Sequence, residues 1–117
     1  MIAKEILKGS IKSIVLKILT ENERMYGYEL TQRVEELSGG TIKLTFGALY
    51  PILHKLETDG DVVTESEVVN NRTRVYYKLT PSGLETAKVK IKELFDFVET
   101  IQKLLSVNYG KPILQAI

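Results

Sequence analysis

The side chains best able to do chemistry in this sequence are few: a lone imidazole at His54, and a polar run from Asn70 to Arg74 that carries Asn71, Arg72 and Arg74. A hydrolytic triad needs a nucleophile and an orienting carboxylate around an imidazole, and no spacing here supplies them. With one His and no Cys, neither a structural zinc site nor a thiolate nucleophile can be assembled. No GxxxxGKS/T or GxGxxG phosphate cradle occurs. The chain therefore reads as non-enzymatic, with no cofactor and no metal. Arginines in a polar loop suit phosphate oxygens or a minor groove instead. A second polar set, Thr45, Gly47, Ala48, Tyr50, His54 and Lys55, offers donors to phosphates and base edges. Gly47 and Ala48 are small enough to let backbone amides approach closely.

The elements that must position these residues follow from periodicity and caps. Ile11, Ile14, Val15 and Ile18 recur at helical spacing, predicting a first helix over Ser10–Thr20 with Ser10 as N-cap. Leu30, Val34 and Leu37 predict a second helix, opened at Tyr26-Gly27-Tyr28 and stopped by Gly39-Gly40. Tyr26 and Tyr28 can reach phosphate through their hydroxyls or close over the helical core, and packing is expected for at least one. Thr41–Leu44 alternates like a strand and is expected to be a single short bridging strand at most. Thr45 then caps a third helix, Phe46–Thr58, whose Leu49, Ile52, Leu53 and Leu56 share one face. Pro51 inside it predicts a kink or a later start.

Val62–Val69 and Thr73–Leu79 are rich in β-branched and aromatic residues, and Asn70-Asn71 between them tolerates positive φ, so a hairpin is expected. In its second strand Val75, Tyr77 and Leu79 share one face, and Arg74, Tyr76 and Lys78 the other. Thr80-Pro81 opens a fourth helix running to about Ser106. Helix, helix, short strand, helix, hairpin and long helix is the order of a winged helix-turn-helix: mainly α with a small β-hairpin (α+β), the third helix being the one that enters a major groove.

The fourth helix carries the most regular pattern. Leu84, Ala87, Ile91, Leu94, Val98, Ile101 and Leu105 follow alternating three- and four-residue steps, an a/d seam that Phe95, Phe97 and Leu104 widen. Such a stripe outruns a core built from three short helices, so a homodimer is expected through it. Residues 1–80 are expected to form the winged helix-turn-helix DNA-binding unit, and residues 81–117 the dimerisation helix and tail.

Length and composition agree with this. A chain of 117 residues with 44% hydrophobic and 26% charged residues has globular proportions and room for one small unit with an appended element. Net charge is +1, which does not advertise a nucleic-acid binder, but its distribution is uneven. The first twenty residues carry Lys4, Lys8, Lys12 and Lys17 against Glu5, whereas residues 21–41 are acidic. The longest run free of Lys, Arg, Asp and Glu, Leu44–His54, is about half of the roughly 20 residues a membrane span needs. Charges also interrupt the N-terminal apolar stretch, so neither a membrane segment nor an export signal is expected, and a cytoplasmic location is.

Four segments are distinctive together: Gly27-Tyr28-Glu29-Leu30, Glu35-Glu36-Leu37-Ser38-Gly39-Gly40, the run GALYPILHKLETDG from Gly47 to Gly60, and Tyr76-Tyr77-Lys78-Leu79-Thr80. They resemble the PadR-like family of prokaryotic transcriptional regulators, in register over about residues 8 to 85. Where the family commonly has threonine before Leu49, this chain has Ala48. The resemblance implies a homodimeric winged-helix repressor of the smaller subfamily, whose C-terminal helix builds the dimer and whose interface can hold a small-molecule effector. With no Trp in the chain, an effector site built on tryptophan has no counterpart. The expectation is a sequence-specific regulator of double-stranded DNA at a palindromic operator. The competing reading, favoured by the near-zero charge, is a winged-helix protein-protein adaptor.

Overall fold

The computed structural model describes residues 4–106. Its elements are α1 (Lys4–Leu7), α2 (Ile11–Thr20), β1 (Met25–Tyr26), α3 (Gly27–Leu37), α4 (Phe46–Thr58), β2 (Val62–Val69), β3 (Arg72–Leu79) and α5 (Pro81–Leu105). This is the helical winged architecture expected, with a three-stranded antiparallel sheet in the order β1-β3-β2. Among the described residues, no helix is long and apolar enough to cross a membrane.

The core lies where the apolar faces of α2, α3 and α4 meet. Val15, Leu16, Leu30, Leu49, Leu53 and Leu56 are fully buried there, and Val62 and Ala87 close it from the wing and from α5. Burying each large aliphatic side chain contributes about 1.5–3 kcal/mol. Tyr77, on the inward face of β3, is also buried. That burial first, then Tyr50 and Glu57, holds its phenol above the ordinary value of 10.0. Because the folded chain keeps a proton that the unfolded chain releases, this stability is complete below pH ~10 and falls as pH rises beyond it. Denaturant titrations at successive alkaline pH values should show the fall, and Tyr77→Phe should flatten it; an equally steep fall in the variant would clear Tyr77 of the effect.

Several expectations change. The short strand predicted at Thr41–Leu44 is irregular chain, because the Ile42 N–H donates to Ser38 Oγ at 3.0 Å instead of joining a ladder. The third strand is β1, whose Met25 and Tyr26 pair with Tyr77 and Tyr76. Ser10 does not cap α2 with its side chain; its hydroxyl donates backward to the Leu7 carbonyl at 2.8 Å, closing the extra helix α1. Pro51 lies inside α4, which starts at Phe46 all the same. The hairpin is as expected: Asn70 and Asn71 take φ of 51° and 63°, the two-residue geometry that matches strand twist.

One junction ties the elements together. Gly60, at φ 79°, ends α4 and turns the chain into Asp61, which is buried. The Thr80 hydroxyl donates to the Gly60 carbonyl at 2.7 Å and accepts from the Gly83 N–H at 2.9 Å. The Thr80 N–H donates to the Asp61 carbonyl at 3.1 Å, and the Thr86 hydroxyl to the Asp61 carboxylate at 2.7 Å. The end of α4, the root of the wing and the start of α5 thus share one hydrogen-bonded knot.

Candidate nucleic-acid interface

The amphipathic sequence of α4 puts its leucines inward and leaves a polar side outward. Thr45 fixes its start, the side-chain oxygen accepting from the Ala48 N–H at 3.2 Å. Beyond the cap, Gly47 meets nothing nearer than Thr45 Oγ1 at 3.9 Å from where a Cβ would stand. Phe46, Tyr50 and His54 follow at four-residue intervals and form an exposed column, with ring centroids 5.7 Å and 6.3 Å apart. Lys55 beside them is exposed and paired with Asp59 at 3.1 Å.

Tyr50 also reaches the start of α3. Its hydroxyl rests against Gly27, where a Cβ would stand only 2.5 Å away. Between α4, the first residues of α3 and the upper part of β3 lies an open cleft of about 650 Å³, lined by Tyr26, Gly27, Tyr50, Arg72, Thr73 and Arg74 among others. The short β1 pairs only with the base of β3, which leaves that edge of the wing facing the cleft. Tyr50 on the polar helix side, the wing edge and the α3 N-terminus, with its partial positive charge, therefore converge.

The two wing arginines differ in setting. Arg72 is exposed next to the Asn70-Asn71 turn, as expected. Arg74 belongs to β3, on the face with Tyr76 as the strand alternation predicts, and is half-buried. Its guanidinium lies 4.1 Å over the Tyr26 ring, and Tyr26 meets Tyr76 edge-on with centroids 5.5 Å apart. Arg24 in turn lies 3.9 Å over Tyr76 and donates to Glu65 at 3.0 Å and to Glu67. The Glu67 hydrogen bond is the main cause that raises the Arg24 pKa, with burial opposing it and Glu65 adding to it. Tyr26 is thus the tyrosine that packs, though against β3, while Tyr28 remains exposed.

Sequence reasoning missed Arg24, Phe46 and the partners of Tyr76. Strand alternation did put Arg74 and Tyr76 on one face. Their partners come from a strand too short to announce itself.

A model of the PadR-like transcriptional regulator family matches residues 15–89, well over half of the chain. The chain belongs to this family. A transcriptional regulator of Mycobacterium tuberculosis is 39% identical over 80 residues, covering 68% of this chain and 71% of the relative. A PadR-family regulator from Eggerthella lenta superposes with a TM-score of 0.74 at 27% identity, over 89% of this chain and 88% of that one. A regulator from Clostridium thermocellum shares the fold, with a TM-score of 0.79 at 24% identity over 87% of this chain and 99% of that one. PadR-like proteins are transcriptional regulators, not enzymes, in agreement with the absence of catalytic spacing in the sequence.

In this PadR-like chain α5 splits into two parts. Ala87 is fully buried in the chain's own core and Ile91 packs partly against it, so these seam residues already face their own chain. Leu94 and Ile101 are half-buried, while Leu84, Phe95, Val98 and Leu105 are exposed, as are Phe97 and Leu104. An apolar groove of about 380 Å³ runs beside them, lined by Ile14, Val34, Leu37, Leu94, Phe95 and Val98 among others. The tail after Ser106, assigned with α5 to dimerisation, lies outside the described residues.

Proposed function

We propose that this PadR-like regulator is a homodimeric, sequence-specific DNA-binding repressor, with residues 1–80 reading DNA and α5 joining two copies. The observation that carries the reading is that Tyr50, on the polar side of α4, shares one open cleft with the Arg72–Arg74 edge of the wing. In it, α4 enters the major groove, where Thr45, Gly47, Ala48, Tyr50, His54 and Lys55 meet base edges and phosphates. Asn71, Arg72 and Arg74 hold the flanking backbone. Two such helices about 34–36 Å apart read a palindromic operator. A small-molecule effector would act at the apolar interface along α5, by favouring a spacing that does not fit the operator.

The test is a gel shift with the upstream region of the protein's own gene at several salt concentrations. Binding should weaken steeply as salt rises. Arg72→Ala should flatten the log–log slope by about one unit with little change in melting. Arg74→Ala should do the same and also loosen the wing, because it strips a cation from Tyr26. Salt-independent retention, or no retention with a stable dimer, would favour the adaptor reading. An unchanged slope in both variants would remove the wing from the mechanism.

A further inference from the structure

The function proposed above leaves one sequence feature unused: the lysine surplus of the first residues. In the structure, Lys4 and Lys8 line one groove together with Lys43 and Gly47. That groove runs along the Thr45–Ala48 side of α4, whereas the wing cleft runs along its Tyr50 side. Its floor includes Leu7 and Ile52, both partly buried against the main core, so the helix that carries Lys4 is docked on the domain.

Charge sets this groove apart from the middle of α5. Lys88, Lys90 and Lys92 on α5 each pair with a carboxylate within 3.4 Å. Lys4 and Lys8 have no such pair among the described residues, and Lys43 reaches Glu35 only at 4.0 Å. Glu5 is the single carboxylate among the groove's lining residues. Three exposed ammonium groups therefore stand beside the capped start of α4, where the Gly47 backbone is bare of any side chain.

We infer that Lys4, Lys8 and Lys43 form a second grip on duplex DNA, holding backbone phosphates on the side of α4 opposite the wing. A helix lying in a major groove has a phosphate strand on each of its flanks. The wing arginines serve one flank, and these lysines serve the other. Lysine, a flexible point charge, suits phosphate contact without base selection. The inference rests on the DNA-binding reading, and its electrostatic complementarity commits it to DNA as the occupant.

The test replaces Lys4, Lys8 and Lys43 together with alanine in the full chain. Binding to operator and to unrelated DNA should weaken by the same factor, and the salt slope should flatten by about 0.9 for each phosphate no longer neutralised. The Lys4→Arg, Lys8→Arg, Lys43→Arg variant should restore the slope. Alanine at Lys88, Lys90 and Lys92 removes equal charge and should leave it unchanged. If wild-type protein binds DNA and the first variant keeps its full slope, the second grip does not exist. A shift of that variant from dimer to monomer would instead assign the groove to contacts between copies and overturn the inference. Failure of the wild-type protein to bind DNA would strike the function proposed above, a distinct result.

Discussion

Replacing Gly83 with alanine is expected to be the most damaging single-methyl change in this chain, lowering stability by about 3 kcal/mol or more. A Cβ at this position would stand 1.8 Å from the carbonyl oxygen of Asp61 and 2.7 Å from its carbon. These are backbone atoms, so no rotamer change relieves the clash, and the first turn of α5 must move off the end of α4. That movement also strains the Thr80 and Asp61 hydrogen bonds of the same knot. Gly47→Ala is the natural control: the site is open and helical, and the substitution should raise stability by up to about 1 kcal/mol. Urea denaturation of the two variants checks both expectations. A Gly83→Ala protein as stable as wild type would mean that the junction is not fixed as described.

The second large effect is expected from Leu94→Glu with Val98→Glu. Leu94 and Val98 line the apolar groove beside α5, and no further element among the described residues covers it. Placing two carboxylates there should forbid a buried contact between copies, because an unpaired buried charge costs several kcal/mol. Sedimentation should report monomers, and operator binding should be lost although neither residue lies near the polar side of α4. Monomeric wild-type protein at micromolar concentration, binding its operator tightly, would overturn the dimer.

What could be read from the sequence was whatever depends on neighbours along the chain. Thr45 and Thr80 both cap the helices they precede through side-chain oxygens, and Asn70-Asn71 marks its turn because few residues accept φ above zero. The polar set of α4 was legible for the same reason, since helical periodicity sorts inward leucines from outward Tyr50, His54 and Lys55. Features made by distant partners were not legible. Two residues cannot display alternation, so β1 exists only through β3. Arg24 finds Glu65 and Glu67 some forty residues away, and nothing near Gly83 in sequence announces Asp61 above it. Ser10 has the right chemistry for a cap, yet its hydroxyl turns back to Leu7.

The hydrogen-bonded knot at Gly60, Asp61, Thr80 and Gly83 has a mechanical consequence. The end of α4, the root of the wing and the start of α5 are clamped at a single pivot, so they turn as one lever. In the proposed dimer, tilting α5 against the second copy would swing the proposed reading head through an arc without reshaping it. With α5 about 37 Å long at 1.5 Å per residue, a tilt of about five degrees moves its far end by about 3 Å, nearly the rise of one base pair. A dimer of the proposed kind, geared this way, would be switched by changing the distance between its two heads, while each head stays intact.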